Sequence, residues 1–129
     1  MRSLSVTIAA LCGLIAGAAL VTALPAQSVS TRAYFIGNIE QITDQASMDK
    51  YRAEAPKIEA AFGGRILARG IPQALDSSAL PKGTIVIIEF PNMKTLRSWW
   101  QSPAYTAVRP LREKASVGRI YAVDGLPTP

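Results

Sequence analysis

Thr84-Ile85-Val86-Ile87-Ile88-Glu89-Phe90 is the stretch that decides the fold. Its β-branched and aromatic residues, free of Gly and Pro, read as a β-strand. Alternation sets Ile85, Ile87 and Glu89 on one face and Val86, Ile88 and Phe90 on the other. Both faces are apolar, so the strand is expected to be central and covered twice. Glu89, its one charge, then needs a partner, a proton or access to solvent.

Upstream, Pro72, Asp76, Ser77, Ser78, Pro81, Lys82 and Gly83 mark a loop or irregular hairpin around Gln73 to Leu75. Before it, Arg65 to Gly70 reads as a strand with Arg65, Leu67 and Arg69 on one face and Ile66 and Ala68 on the other. Gly63-Gly64 stops a helix that Asp44 caps, with an apolar stripe at Met48, Tyr51, Ala55, Ile58 and Phe62. Pro56 lacks the N–H of a helix interior, which predicts a kink or two short helices. Ala33 opens a first strand, sending Tyr34, Ile36, Asn38 and Glu40 one way and Phe35, Gly37, Ile39 and Gln41 the other.

Downstream, Pro91-Asn92 starts a helix whose stripe is Met93, Leu96, Trp99 and Trp100. Ser102-Pro103 begins another, with Tyr105, Val108, Leu111 and Ala115 inward and a break expected near Pro110. Arg119 to Val123 supplies a fourth strand. The order predicts an α+β, ferredoxin-like βαββαβ antiparallel sheet with its helices on one face. The other face needs cover, and a second copy laid sheet against sheet supplies it, giving a homodimeric α/β barrel. The plainer alternative is a twisted monomer with one wet face.

The first residues carry a basic Arg2 and then an uncharged apolar run from Leu4 to Leu24, the layout of a secretory signal peptide. Cleavage is expected after Ala23 or Ala26; an uncleaved anchor, and so a membrane attachment, is the alternative. The chain divides into a leader (1–26), a linker (27–32), one domain (33–124) and a tail (125–129), and is expected to be exported, periplasmic or secreted. Cys12, the only cysteine, lies inside the leader, so the domain has no thiol or disulfide. The net charge is +5, but the basic residues are scattered among acids, not gathered in a stripe, so no nucleic-acid partner is expected. A preference for small anions remains.

Tyr34 to Ile39, Lys50-Tyr51-Arg52 running to Pro56, Gly63-Gly64-Arg65, Arg69-Gly70, Ile88-Glu89-Phe90-Pro91, Trp99 to Tyr105 and Pro110-Leu111-Arg112 occur here in a specific order and spacing. In these segments, which span nearly all of Ala33 to Asp124, the chain resembles the family named domain of unknown function 1330. The resemblance implies a ferredoxin-like subunit that pairs into a dimeric α/β barrel, and no established activity. Two positions depart from the family pattern: Trp100, where a second aromatic is often tyrosine, and Ile71, where a second glycine is common.

No histidine is present, which removes Ser-His-acid and Cys-His catalysis, ordinary zinc sites and histidine-ligated haem; neither a metal nor a cofactor is expected. Ser47-Met48-Asp49-Lys50 matches a serine-x-x-lysine spacing but lacks its companion motifs and reads as a solvated first helical turn. Glu89 is the candidate catalytic base, with Arg65 and Arg69 on the neighbouring strand as its salt-bridge partners or as a carboxylate clamp. Tyr51, Trp99, Tyr105 and Arg112 either pack the core or wall an aromatic pocket between helices and sheet, with Asn38 and Glu40 facing the same space. Two functions follow: a module that binds a small anionic or aromatic molecule or merely assembles, and a cofactor-independent isomerase or oxygenase-like enzyme using Glu89 with tyrosine and arginine.

Overall fold

In the computed structural model, which describes residues 30–127, the strand at Thr84–Phe90 lies inside a four-stranded sheet. Along the chain run β1 (Ala33–Ile42), α1 (Gln45–Ala61), β2 (Arg65–Gly70), β3 (Thr84–Phe90), α2 (Met93–Gln101), α3 (Pro103–Ala115) and β4 (Ser116–Asp124). The sheet order is β2-β3-β1-β4 with every neighbour antiparallel, the ferredoxin-like arrangement. The leader expected at 1–26 and the last residues of the tail lie outside the described residues. Among the described residues no helix is long and apolar enough to cross a membrane.

Local chemistry starts each helix. Asp44 accepts from the Ser47 N–H at 3.1 Å and from the Ser47 hydroxyl at 2.6 Å, which also keeps the Ser47–Lys50 pair in an exposed first turn. Asn92 accepts from the Thr95 N–H at 2.8 Å, and Ser102 caps α3 ahead of Pro103. The α1 terminus is a Schellman closure: Gly64 N–H bonds the Glu59 carbonyl at 2.8 Å and Gly63 N–H bonds that of Ala60 at 2.9 Å, with Gly63 at φ 72°. The division into two short helices at Pro56 and the break near Pro110 do not occur. Pro56 and Pro110 sit inside continuous helices of 17 and 13 residues, so packing of α1, α3 and the sheet outweighs the backbone bond each proline removes.

The helix-facing side of the sheet holds the core, in which Phe35, Ile88 and Phe90 meet Ala55, Leu96, Trp99 and Tyr105. Trp99 is fully buried, 4.1 Å from Tyr105 and 4.9 Å from Phe90 between ring centroids. The opposite face carries Tyr34, Ile36 and Asn38 of β1, aligned with Glu89, Ile87 and Ile85 of β3 and with Val123, Tyr121 and Arg119 of β4. No helix covers it.

Two bulges change which way residues point. In β2, Ile66 aligns with Ile88 and Ala68 with Ile87, which leaves Leu67 as an extra residue. Arg65 therefore aligns with Glu89 and Arg69 with Val86, on opposite faces, contrary to simple alternation. In β1 the register shifts between Ile39 and Gln41, so Glu40 stays on the open face while Ile42 returns to the helix side.

Candidate functional site

The space between α1, α3 and the sheet is a cavity of about 230 Å³. Its floor is apolar: Phe35, Gly37, Ile39, Val86, Ile88 and Ile120. A cavity of ~150 Å³ holds benzene, so this one has room for a single ring and a substituent. Gly37 contributes to that room, since a Cβ there would meet Phe35 Cε1 at 3.3 Å and Ile120 Cδ1 at 3.4 Å.

Charged and phenolic groups enter from the walls. α1 supplies Tyr51, Arg52 and Glu59, β2 supplies Arg69 and α3 supplies Arg112. Glu59 is 5% exposed, and its Oε2 has no hydrogen-bond partner among the described residues. Burial pushes its carboxyl up from 4.5 to about 7, partly offset by the Arg69 guanidinium. Arg112 is 8% exposed; its Nε is unpartnered among the described residues and its Nη2 lies 3.8 Å from the Glu113 carboxylate. Its guanidinium carbon sits 5.9 Å from the Tyr51 ring centroid. The Tyr51 and Tyr105 hydroxyls share a hydrogen bond of 2.9 Å. Burial raises both phenols, so they remain neutral donors throughout the physiological range.

Of the residues singled out from sequence, Tyr51, Arg69 and Arg112 line this cavity, and Tyr105 stands directly behind Tyr51. The others are elsewhere. Glu89 projects from the open face, where Arg65 Nη2 donates to its Oε1 at 3.1 Å. It is a register-setting ion pair on the far side of the sheet from the cavity, and the expected pairing with Arg69 is lost to the bulge. Asn38 and Glu40 also face away from the cavity: Asn38 donates to the Lys82 carbonyl at 2.7 Å, and Glu40 lies 3.4 Å from Arg119 Nε. Trp99 belongs to the core and lines no part of the cavity. Among the described residues no group of three or more His, Cys, Asp or Glu gathers to hold a metal.

Glu59 was absent from the candidates, yet its signal is in the sequence. It lies four residues after Ala55 and eight after Tyr51, a charge inside the buried helical stripe.

A ferredoxin-like subunit with an apolar, acid- and arginine-walled cavity on its helical side defines the class. The chain belongs to the family described as Domain of unknown function (DUF1330), whose profile matches residues 32–126. Among solved structures it is similar to methylated RPA0582 of Rhodopseudomonas palustris, at 12% identity and TM-score 0.61, over 75% of this chain and 82% of that one. It is similar to SnoaB of Streptomyces nogalater, described as a cofactor-independent oxygenase, at 11% identity and TM-score 0.55, over 77% and 97%. A dimeric ferredoxin-like protein of unknown function from Jannaschia sp. CCS1 matches at 14% identity and TM-score 0.52, over 72% and 96%. At these identities the likeness is one of fold. No curated protein sequence matches the chain.

Proposed function

We propose that this chain is an exported homodimer that takes a small molecule, with an apolar one-ring body and one acidic group, into the cavity between sheet and helices. The observation that carries the reading is Arg112. The Tyr105 hydroxyl beside this buried guanidinium is neutral, the one carboxylate in an ion pair with it among the described residues is Glu113 at 3.8 Å, and Nε is left without a partner, so an anionic oxygen suits the site. Arg69 and Arg52 on the same cavity add to the preference for an anion.

The dimer rests on the uncovered face, where Ile36, Ile85, Ile87, Tyr121 and Val123 form a contiguous apolar surface. The dimeric description of the Jannaschia protein supports it by analogy. Export rests on the Arg2 and Leu4–Leu24 leader.

Benzoate is a probe of the right size and charge, read by ligand-observed NMR. It should bind the native protein and bind Arg112→Gln at least ~10-fold more weakly, since a hydrogen bond to a charged group contributes about 1.5–3 kcal/mol. Equal binding by the two proteins, or none by either, sinks the reading. A second, enzymatic reading is favoured by Glu59, and SnoaB's description supplies an analogy for catalysis without a cofactor on this fold.

A further inference from the structure

The cavity holds one acidic side chain, and its position is unusual. Glu59 sits on the last turn of α1, held by the Schellman closure that bonds its own carbonyl to Gly64. The side chain is 95% buried by area yet lines the cavity, with Oε2 unpartnered among the described residues. A structural carboxylate would be tied to a cation, as Glu89 is to Arg65 at 3.1 Å. Glu59 makes no such short contact among the described residues: Arg69 influences it only at a distance.

What faces it suits an oxygen that turns anionic during reaction, as a carbonyl oxygen does on enolisation, so a carbonyl can take the place that the acidic group of a simple ligand takes beside the guanidiniums. From α1 come Tyr51 and Arg52, from β2 Arg69 and from α3 Arg112, while the sheet offers apolar side chains and the Thr84 hydroxyl. The Tyr51–Tyr105 hydrogen bond has room for one arrangement of direct use: Tyr105 donates to Tyr51, which frees the Tyr51 proton for a ligand oxygen. A base and two hydrogen-bond donors then line one cavity with room for a single ring. The carboxyl also titrates near neutrality, where a general base works best.

We infer that Glu59 is a catalytic general base for the redox-neutral isomerisation of small β,γ-unsaturated carbonyl compounds bound in this cavity; the inference rests on the binding reading above. The Glu59 carboxylate takes a proton from the carbon α to the carbonyl. The C–H electron pair becomes the new C–C π bond, and the carbonyl π pair moves to oxygen as an enolate, held by Arg112 and the Tyr51 hydroxyl. The protonated Glu59 then returns the proton to the γ carbon: the β,γ π pair forms the new C–H bond, the enolate π pair shifts to the α,β position, the oxygen pair re-forms the carbonyl, and no electron or co-reactant is consumed.

The probe is 3-cyclohexen-1-one, converted to 2-cyclohexen-1-one and followed by the ultraviolet absorbance of the conjugated product. Native protein should accelerate the conversion, with a rate that rises with pH through one ionisation near 7. Glu59→Gln should lose ~10²-fold or more, and Glu59→Ala should regain part of the rate when formate is added, a rescue that a packing role would not show. Glu89→Gln, altered on the opposite sheet face, should match the native rate. The inference falls if Glu59→Gln is as fast as native protein, or if native protein binds the probe and yields no more product than buffer. Failure of benzoate to bind would instead overturn the binding reading itself, and failure of the enone to bind a protein that takes benzoate would overturn the inference alone.

Discussion

A carboxyl that holds its proton to about pH 7 in the folded chain releases it near 4.5 once the chain unfolds. Below 4.5 both states are protonated; between 4.5 and about 7 only the unfolded chain loses the proton, so stability falls as pH rises through that window. The full loss is roughly 3 kcal/mol, at about 1.4 kcal/mol per pKa unit. Asp44 and Asp76, whose carboxyls are held below 3.8 by serine hydrogen bonds, act only at more acid pH and leave the window to Glu59. Urea denaturation at pH 5 and pH 8 should therefore show native protein losing stability, while Glu59→Gln stays nearly level and overtakes it at pH 8. Parallel pH dependences would refute the assignment. Glu89 stood out from sequence because a charge in an apolar strand is conspicuous, whereas Glu59 sits beside Ile58 in a helix full of charges. Only the count of four from Ala55 marks Glu59 as inward.

Strands and helix caps were largely legible because each rests on local chemistry: Asp44, Asn92 and Ser102 cap as their side chains dictate, and Arg65–Gly70 and Thr84–Phe90 begin and end where the pattern does. The bulges at Leu67 and Glu40 were not legible, because an unpaired residue is defined by the register of a partner strand and leaves no local mark. That is why Arg65 and Arg69, placed together by alternation, serve different faces. The helix breaks expected at Pro56 and Pro110 failed for a related reason, since tertiary packing decided them. The bulge makes a sharp prediction. Arg69→Gln should raise the Glu59 pKa further, by removing the one cation that lowers it, and Arg65→Gln should leave it unmoved. Carbon-13 NMR titration of the Glu59 carboxyl reads both; equal shifts in the two variants would show that the arginines share a face.

At the level of the whole molecule, one sheet separates two kinds of surface, a cavity on its helical side and an apolar plain on the other. If the plain joins two copies, sedimentation equilibrium of the folded domain should give twice its chain mass. Ile87→Lys, which sets a charge at the centre of the plain opposite Ile36, should halve that mass while benzoate binding persists. A native protein that sediments as one chain would refute the dimer. The central place of Thr84–Phe90 in the sheet was readable from its two apolar faces, which ask for two covers. The sheet as partition also orders how the protein can vary. In β1 the odd positions Phe35, Gly37 and Ile39 see the cavity and the even positions Tyr34, Ile36 and Asn38 see the plain, until the bulge at Glu40 inverts the rule and gives Ile42 to the cavity. Substitutions on one parity act on the cavity and substitutions on the other act on the plain, so under the binding and dimer readings proposed above ligand preference and assembly vary separately within a single strand.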